Sequence, residues 1–145
     1  MTSVKKISLI TLSAIALAML ISIWWLLRTP QVSVKPQIQH GRFAFSIQSD
    51  RRVRKITWVR VFSIAKQHYL WEINTKRLDK QSFSVVYGNL PAMCEQVFPE
   101  GQEEPEPVHA KDQLVVRVWY TFDNVFPPAA CSSTANEQIV VPKQG

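Results

Sequence analysis

The chain has 145 residues, with 17 lysines and arginines against 11 aspartates and glutamates and a formal net charge of +6. Three of the basic residues, Lys5, Lys6 and Arg28, flank a long apolar segment, and the other fourteen leave a net charge of only +3. A net charge of this size is ordinary for the surface of a soluble domain and gives no indication of a nucleic-acid partner. About 115 residues follow the apolar segment, enough for one domain with a hydrophobic core and too few for two.

Residues 7–27 form the apolar segment, with no charged side chain at any of its twenty-one positions. As a helix that rises 1.5 Å per residue, the segment is about 31 Å long and matches the roughly 30 Å hydrocarbon core of a bilayer. It therefore predicts a transmembrane helix. Trp24, Trp25 and Arg28 are expected at one membrane interface, where an indole ring places its N–H group among the head groups.

Positive charge beside the segment sets its expected orientation. Lys5 and Lys6 favour a cytoplasmic tail at residues 1–6, which places the rest of the chain in the periplasm or another extracytoplasmic space. The helix then serves as an uncleaved signal anchor in the inner (plasma) membrane. The alternative is a signal peptide cleaved near Ala18. Because the apolar run continues beyond Ala18 to Leu27, cleavage leaves an apolar stub in water, and we favour the anchor.

Strand patterns dominate the sequence after the segment. Residues 28–41 contain two prolines and indicate a connector, in which Val32, Val34 and Ile38 also fit a first edge strand. The domain proper is expected at 42–145. Alternating or continuous apolar residues predict strands at 42–48, 53–62, 69–73, 83–87, 96–98, 114–122 and 138–141.

Seven or eight short strands without an amphipathic helix predict a mainly β fold. The expected architecture is an antiparallel β-sandwich of immunoglobulin or fibronectin type III kind, with a small β-barrel as the alternative. Trp58 is the candidate for the buried tryptophan of such a sandwich. The likeness is architectural, since both cysteines follow Trp58 in the sequence whereas the usual cysteine pair brackets that tryptophan.

Cys94 and Cys131 are the two cysteines of the chain, and both follow the apolar segment. In an oxidising compartment they are expected to form a disulfide that closes a loop of about 37 residues, worth about 3–4 kcal/mol in the chain-entropy model. Two unconnected buried thiols are the alternative.

No residue pattern indicates catalysis. The histidines, His40, His68 and His109, have no serine, cysteine or aspartate beside them in a nucleophile arrangement, and no G-x-S-x-G motif occurs. We therefore predict neither enzymatic activity nor a cofactor.

Four glutamates crowd one loop and are weak candidates for a cation site, because hard cations bind several convergent oxygen atoms. Prolines stiffen this loop and no D-x-D-x-D-G spacing occurs, so a solvated acidic surface is the preferred interpretation. The four residues are Glu100, Glu103, Glu104 and Glu106.

Contact with another protein is the function that remains. Trp119 is out of phase with the core face of its strand and lies beside Arg117, and tryptophan and arginine dominate interface hot spots. A basic cluster is expected to add electrostatic specificity; it consists of Arg51, Arg52, Arg54, Lys55 and, on the following strand, Arg60.

The sequence thus predicts a membrane-anchored, non-catalytic interaction or accessory domain that docks on another cell-envelope protein. The bilayer is bound through residues 7–27. Two alternatives stay open, namely a ligand- or cation-binding envelope domain that uses the acidic loop at 100–106, and a secreted, inhibitor-like domain released near Ala18.

Overall fold

The computed structural model describes residues 2–76, 82–92, 94–101, 103–125 and 128–144, with helix side chains from residue 8 onward. The chain divides into two compact units. One contains the residues up to 29 together with 124–129, and the other contains 30–123 and the residues from 130 onward.

Helix α1 runs from Thr2 to Leu27 and is long and apolar enough to cross a membrane over Ser8–Leu27. Its side chains in that stretch are exposed. The hydroxyl of Ser13 donates to the carbonyl of Ile10, and the hydroxyl of Ser22 donates to that of Ala18. These hydroxyl groups are therefore satisfied within the helix, as a lipid environment requires.

The three residues predicted at a membrane interface lie in the last turn of α1 and directly after it. The backbone N–H of Arg28 donates to the carbonyl of Trp24 at 3.1 Å, and the Arg28 guanidinium lies 6.0 Å from the centre of the Trp24 ring. Trp24 and Trp25 are both exposed. The C-terminal end of this apolar helix therefore carries two indole rings, from Trp24 and Trp25, followed by the cation of Arg28.

The second unit consists of two antiparallel sheets. The three-stranded sheet has the order β1-β2-β5 and the five-stranded sheet has the order β6-β4-β3-β7-β8. No closed barrel is seen among the described strands. The strands are β1 (Val32–Gln39), β2 (Arg42–Ser49), β3 (Val53–Ser63), β4 (His68–Asn74), β5 (Ser82–Val86), β6 (Glu95–Phe98), β7 (Gln113–Asn124) and β8 (Ala129–Val140).

The strand predictions are confirmed in number and position, with two differences. β1 lies inside the range predicted as a connector and pairs along its whole length with β2. β8 begins at Ala129, whereas the sequence pattern placed the last strand at 138–141. Residues 129–137 are small or polar, so they lack the apolar alternation by which a half-buried strand is recognised.

The inner faces of the two sheets share one hydrophobic core. Strand β7 shows how the sequence builds it, because Val116, Val118 and Tyr120 are buried while the residues between them are partly exposed. This is the period of two that a strand imposes on its side chains. Fully buried members of the core are Phe45, Ile47, Ile56, Val59, Val61, Trp71, Ile73, Val85, Leu114, Val116 and Val118.

Strand β3 departs from a strict period of two. Its pairing with β7 shifts register twice, once between Val53 and Lys55 and again between Ile56 and Trp58. Ile56 and Val59 are therefore both buried although they lie three residues apart, and Trp58 is partly exposed. The prediction of Trp58 as the core tryptophan is wrong, since Trp71 on β4 is the buried one at 1% exposure.

The predicted Cys94–Cys131 disulfide is also wrong, because both cysteines are free. Cys94 immediately precedes β6 and Cys131 lies on β8, and these strands are the opposite edges of the five-stranded sheet. Four strand spacings of about 4.8 Å separate the edges by roughly 19 Å, whereas a disulfide needs Cα atoms within about 7 Å. Burial raises the pKa of the Cys94 thiol.

Replacing both cysteines by alanine is expected to lower the free energy of unfolding by about 1 kcal/mol or less, not by the 2–5 kcal/mol typical of a lost disulfide. Urea unfolding of the two proteins measures this difference. Alkylation of the unfolded wild-type chain without reductant should modify both thiols. Protection of both thiols until a reductant is added would contradict the structure.

Candidate functional site

The outer face of the five-stranded sheet carries an unusual set of aromatic and charged side chains, which we call the aromatic–arginine face. Cross-strand register brings them together: Trp58 lies opposite Trp119, and Arg60 lies opposite Arg117 on one side and Glu72 on the other. Neighbouring side chains at such positions are in contact range. The face consists of Trp58, Arg60, Phe62, Tyr69, Glu72, Arg117 and Trp119.

Arg60 is at the centre of this face. Its guanidinium lies 4.5 Å from the centre of the Tyr69 ring and 5.0 Å from the centre of the Trp119 ring. Its Nε donates to Oε2 of Glu72 at 2.6 Å, and this bond raises the pKa of Arg60. The two charged side chains are only 26% and 12% exposed, so solvent screens the pair less than a surface ion pair.

Trp119 is held from several sides. Arg117 lies 5.6 Å from the centre of its ring, and the backbone carbonyl of Trp119 accepts a hydrogen bond from the hydroxyl of Thr57 at 3.2 Å. Arg117 is itself fixed by a bond from its Nε to Oδ1 of Asn136 on β8. The Trp119 ring thus lies against two guanidinium groups and is partly exposed.

A shallow pocket opens on the aromatic–arginine face. Trp58, Arg60, Glu72 and Trp119 line it, and its volume is about 260 Å³. The lining offers two indole rings, one cation and one carboxylate. Such a surface can stack on an aromatic or apolar side chain, and its rim can both donate and accept hydrogen bonds.

Of the predicted basic cluster, Arg60 belongs to this face, whereas the other four residues are not among its members. Arg51 and Arg52 occupy the turn between β2 and β3. Arg54 pairs with Asp123 at 2.6 Å, and Nζ of Lys55 donates to the carbonyl of Lys76 at 2.8 Å. The structure therefore brings Trp119 and Arg117 together, while Arg54 and Lys55 have partners elsewhere in the domain.

The acidic loop does not gather its carboxylates into a cation site. Glu106 pairs with Lys66 and, at 3.1 Å, with His68, and these hydrogen bonds hold the pKa of Glu106 below its usual value of 4.5. Glu100, Glu103 and Glu104 are exposed. Over the part of the chain that the structure describes, no group of three or more histidine, cysteine, aspartate or glutamate side chains is placed to hold a metal ion.

Two polar side chains instead attach this loop to the domain. The Tyr87 hydroxyl donates to the carbonyl of Glu106 at 2.8 Å. Gln96 accepts a hydrogen bond from the Trp71 indole at 2.8 Å, and its amide nitrogen donates to the carbonyls of Pro99 and Glu103 at 2.9 and 2.8 Å. The loop is thereby joined to β5 and β6. Burial, with a smaller contribution from the Glu106 charge, raises the pKa of Tyr87.

Trp119 and Arg117 were predicted from the sequence as contact residues, and Arg60 as a member of the basic cluster. Glu72 and Tyr69 were not predicted as members of the site. One signal was available. A hairpin about the turn at 64–67 pairs Ser63 with His68 and brings Arg60 near the opposite charge of Glu72 on the next strand. The bulge between Val61 and Phe62 then places these two charges directly opposite each other, as a stabilising cross-strand pair. The register shifts of β3 concealed which face that pair occupies.

Comparison with known proteins gives no assignment for this chain. No family model matches it, and neither does any curated protein or solved structure in the comparisons made.

Arg60→Met should lower the free energy of unfolding by about 2 kcal/mol, because it leaves the Glu72 carboxylate partly buried without its cation. The double variant Arg60→Met/Glu72→Leu should recover more than half of that loss, since no unpaired charge remains. Urea unfolding of both variants and the wild type measures the two values. A double variant no more stable than Arg60→Met would show that the cost does not come from an unpaired carboxylate.

Glu106→Gln should lower the melting temperature near neutral pH, and this effect should diminish as the pH falls below the usual carboxyl pKa of 4.5. A carboxylate whose pKa is lowered on folding stabilises the fold above its unfolded pKa, and this contribution disappears as the pH falls through the folded value. Thermal melts across that range measure the difference. Glu100→Gln, which removes one carboxylate from the same loop, is the matched control, and an equal pH-dependent loss in that variant would contradict the assignment to the Lys66 and His68 pairs.

Proposed function

We propose that the protein is a single-pass membrane protein whose β-domain is a non-catalytic docking module for another protein of the cell envelope. The observation that carries this proposal is the aromatic–arginine face. It combines partly exposed indole rings, arginines held in place by stacking, and a pocket of about 260 Å³ between them.

The proposed placement starts from α1. Its length and exposed apolar surface support a membrane anchor, and the lysines at positions 5 and 6 support a cytoplasmic N-terminus. In that orientation Trp24, Trp25 and Arg28 lie at the outer interface of the inner (plasma) membrane, and the β-domain lies in the periplasm or an equivalent extracytoplasmic space.

For the domain itself we propose a sandwich of immunoglobulin or fibronectin type III kind. The strand order supports this type: β1, β2 and β5 correspond to strands A, B and E, and β3, β7 and β8 correspond to C, F and G. Strand β4 takes the position of C′ beside C. Three features depart from this type: the cysteines are free, the buried Trp71 lies on β4 and not on β3, and β6 follows β5 in the chain but pairs with β4.

The composition of the face favours protein recognition. Tryptophan, tyrosine and arginine are the residues that most often carry binding energy at interfaces, and they do so where neighbouring contacts exclude water. Here Arg60 is already neutralised by Glu72 and covers part of the Trp119 ring. A partner therefore meets a pre-ordered surface and loses little side-chain entropy when it binds.

In this proposal, two oppositely charged loops help the domain to select its partner. The turn with Arg51 and Arg52 presents positive charge, and the exposed Glu100, Glu103 and Glu104 present negative charge on a separate loop. Charged rims of opposite sign steer a partner and suppress wrong ones more than they add affinity.

A photoreactive phenylalanine analogue in place of Trp119 should crosslink in cells to one dominant envelope protein, identified by mass spectrometry. The same analogue in place of Lys35, an exposed residue of β1 in the other sheet, is the matched control and should not give that product. Trp119→Ala should weaken binding of the identified partner by at least about tenfold, as expected for a hot-spot residue.

Two results would overturn the proposal. One is a folded Trp119 analogue at native abundance that gives no crosslink. The other is the same product from positions 119 and 35, which would show that the crosslink reports general proximity and not contact through the aromatic–arginine face.

A further inference from the structure

Strand β8 is an edge of the five-stranded sheet, so one side of its backbone has no strand beside it in the described structure. It is twelve residues long, Ala129–Val140, and its sequence AACSSTANEQIV contains no lysine, arginine, proline or glycine. Its side chains on the outer face, including Ser132, Thr134 and Gln138, are exposed. A long edge of this kind is a template for pairing with another strand.

The other three edges carry the features by which natural proteins prevent such pairing. β1 has an exposed lysine followed by a proline, Lys35 and Pro36. β5 is five residues long and β6 is four. Short strands, edge lysines and edge prolines all oppose the addition of another chain. β8 alone among the described edges is long and without them, which indicates that it is covered in the working protein.

We propose that the occupant is a second copy of this chain, with the two β8 edges pairing antiparallel to form a continuous ten-stranded sheet. This inference is independent of which envelope protein the domain docks on. Antiparallel pairing of identical strands creates a two-fold axis, which closes the assembly at two copies.

The charge pattern of β8 supports self-pairing. Glu137 is the one charged residue of the strand. With the two-fold axis at Thr134, near the middle of the strand, Thr134 lies opposite its own copy and Glu137 lies opposite Cys131 of the second copy. The two carboxylates are then six residues apart, roughly 20 Å along the strands. No like charges meet, and the small side chains of 129–136 allow close approach.

The hydroxyl side chains of β8 are suited to the same arrangement. Ser132, Ser133 and Thr134 lie next to the middle of the strand, and cross-strand pairs of serine and threonine hydrogen-bond favourably in antiparallel sheets. Asn136 on this strand is already bonded to Arg117. The pairing therefore joins backbone edges without disturbing the aromatic–arginine face.

A two-fold axis through an antiparallel strand pair stands perpendicular to the sheet. Both copies then present the aromatic–arginine face on the same side of the ten-stranded sheet. The dimer would offer two equivalent docking surfaces facing one direction.

The test uses the full chain in detergent micelles, with the protein mass measured by light scattering over a range of concentrations. The wild type should reach twice the mass of one chain. Thr134→Lys places two lysines opposite each other at the axis, and Ser132→Lys adds a further positive charge beside them in each copy. The double variant Ser132→Lys/Thr134→Lys should raise the dimer dissociation constant by about tenfold or more. Ser33→Lys on the β1 edge is the matched control and should leave the dissociation constant unchanged.

A second measurement locates the axis. In a Cys94→Ala/Cys131→Ala background, single cysteines at exposed β8 positions (Ser132→Cys, Thr134→Cys and Gln138→Cys) should oxidise to a covalent dimer most readily at the position closest to the axis. Ser33→Cys should not form that dimer.

Three results would overturn the proposal, each judged on variants with unchanged circular dichroism. They are a wild type that stays monomeric throughout, a dimer unaffected by the two lysines, and equal crosslinking at position 33 and on β8. The second result would assign association to α1 or another surface.

Discussion

The position of β3 at the centre of the five-stranded sheet is the constraint on which the rest of the domain depends. Both of its faces are used: Ile56, Val59 and Val61 enter the shared core, and Trp58 and Arg60 face outward. The two register shifts decide which side chain faces which way. Without the shift between Ile56 and Trp58, a strict alternation would bury that indole and exclude Val59 from the core.

The outer face resolves a conflict between polarity and burial. Arg60 lies on the outer face of a sheet whose inner face is apolar. Glu72 compensates its charge, and its flat guanidinium group covers the rings of Tyr69 and Trp119. Arginine suits this position because it stacks on aromatic rings and is more weakly hydrated than lysine. The result is a surface that is ordered before any partner arrives, which is why we base the proposed docking on it.

Much of the fold could be predicted from the sequence because the apolar patterns are strong and local. The uncharged run at 7–27 indicates a helix, and the alternation in β2 and β7 identifies the buried face of each strand. The last strand was predicted too short, since residues 129–137 contribute little to the core and so leave no periodic signal. Patterns of apolar residues locate strands by what they bury, and an edge strand of small polar residues buries little.

Long-range relations were harder to predict. The pairing of Cys94 with Cys131 followed from their number, but sequence alone does not say that the two residues flank opposite edges of one sheet. The candidate site was found in part: Trp119 and Arg117 are out of phase with a strongly alternating strand, whereas Arg60 and Glu72 become site residues only through register. The acidic loop was a compositional signal, and its Glu106 proves to be paired with Lys66 and His68.

The attachment of that loop to β6 depends on the side-chain nitrogen atom of Gln96. The Gln96 side chain accepts from Trp71 through its oxygen and donates to two backbone carbonyls through its NH₂ group. Slow hydrolysis of this amide to a carboxylate would keep the oxygen that accepts from Trp71 but replace the NH₂ group by a second oxygen. The hydrogen bonds to the carbonyls of Pro99 and Glu103 would then be replaced by repulsion between oxygen atoms. Chemical ageing at Gln96 would thus release the loop from β6 while the hydrophobic core stayed intact.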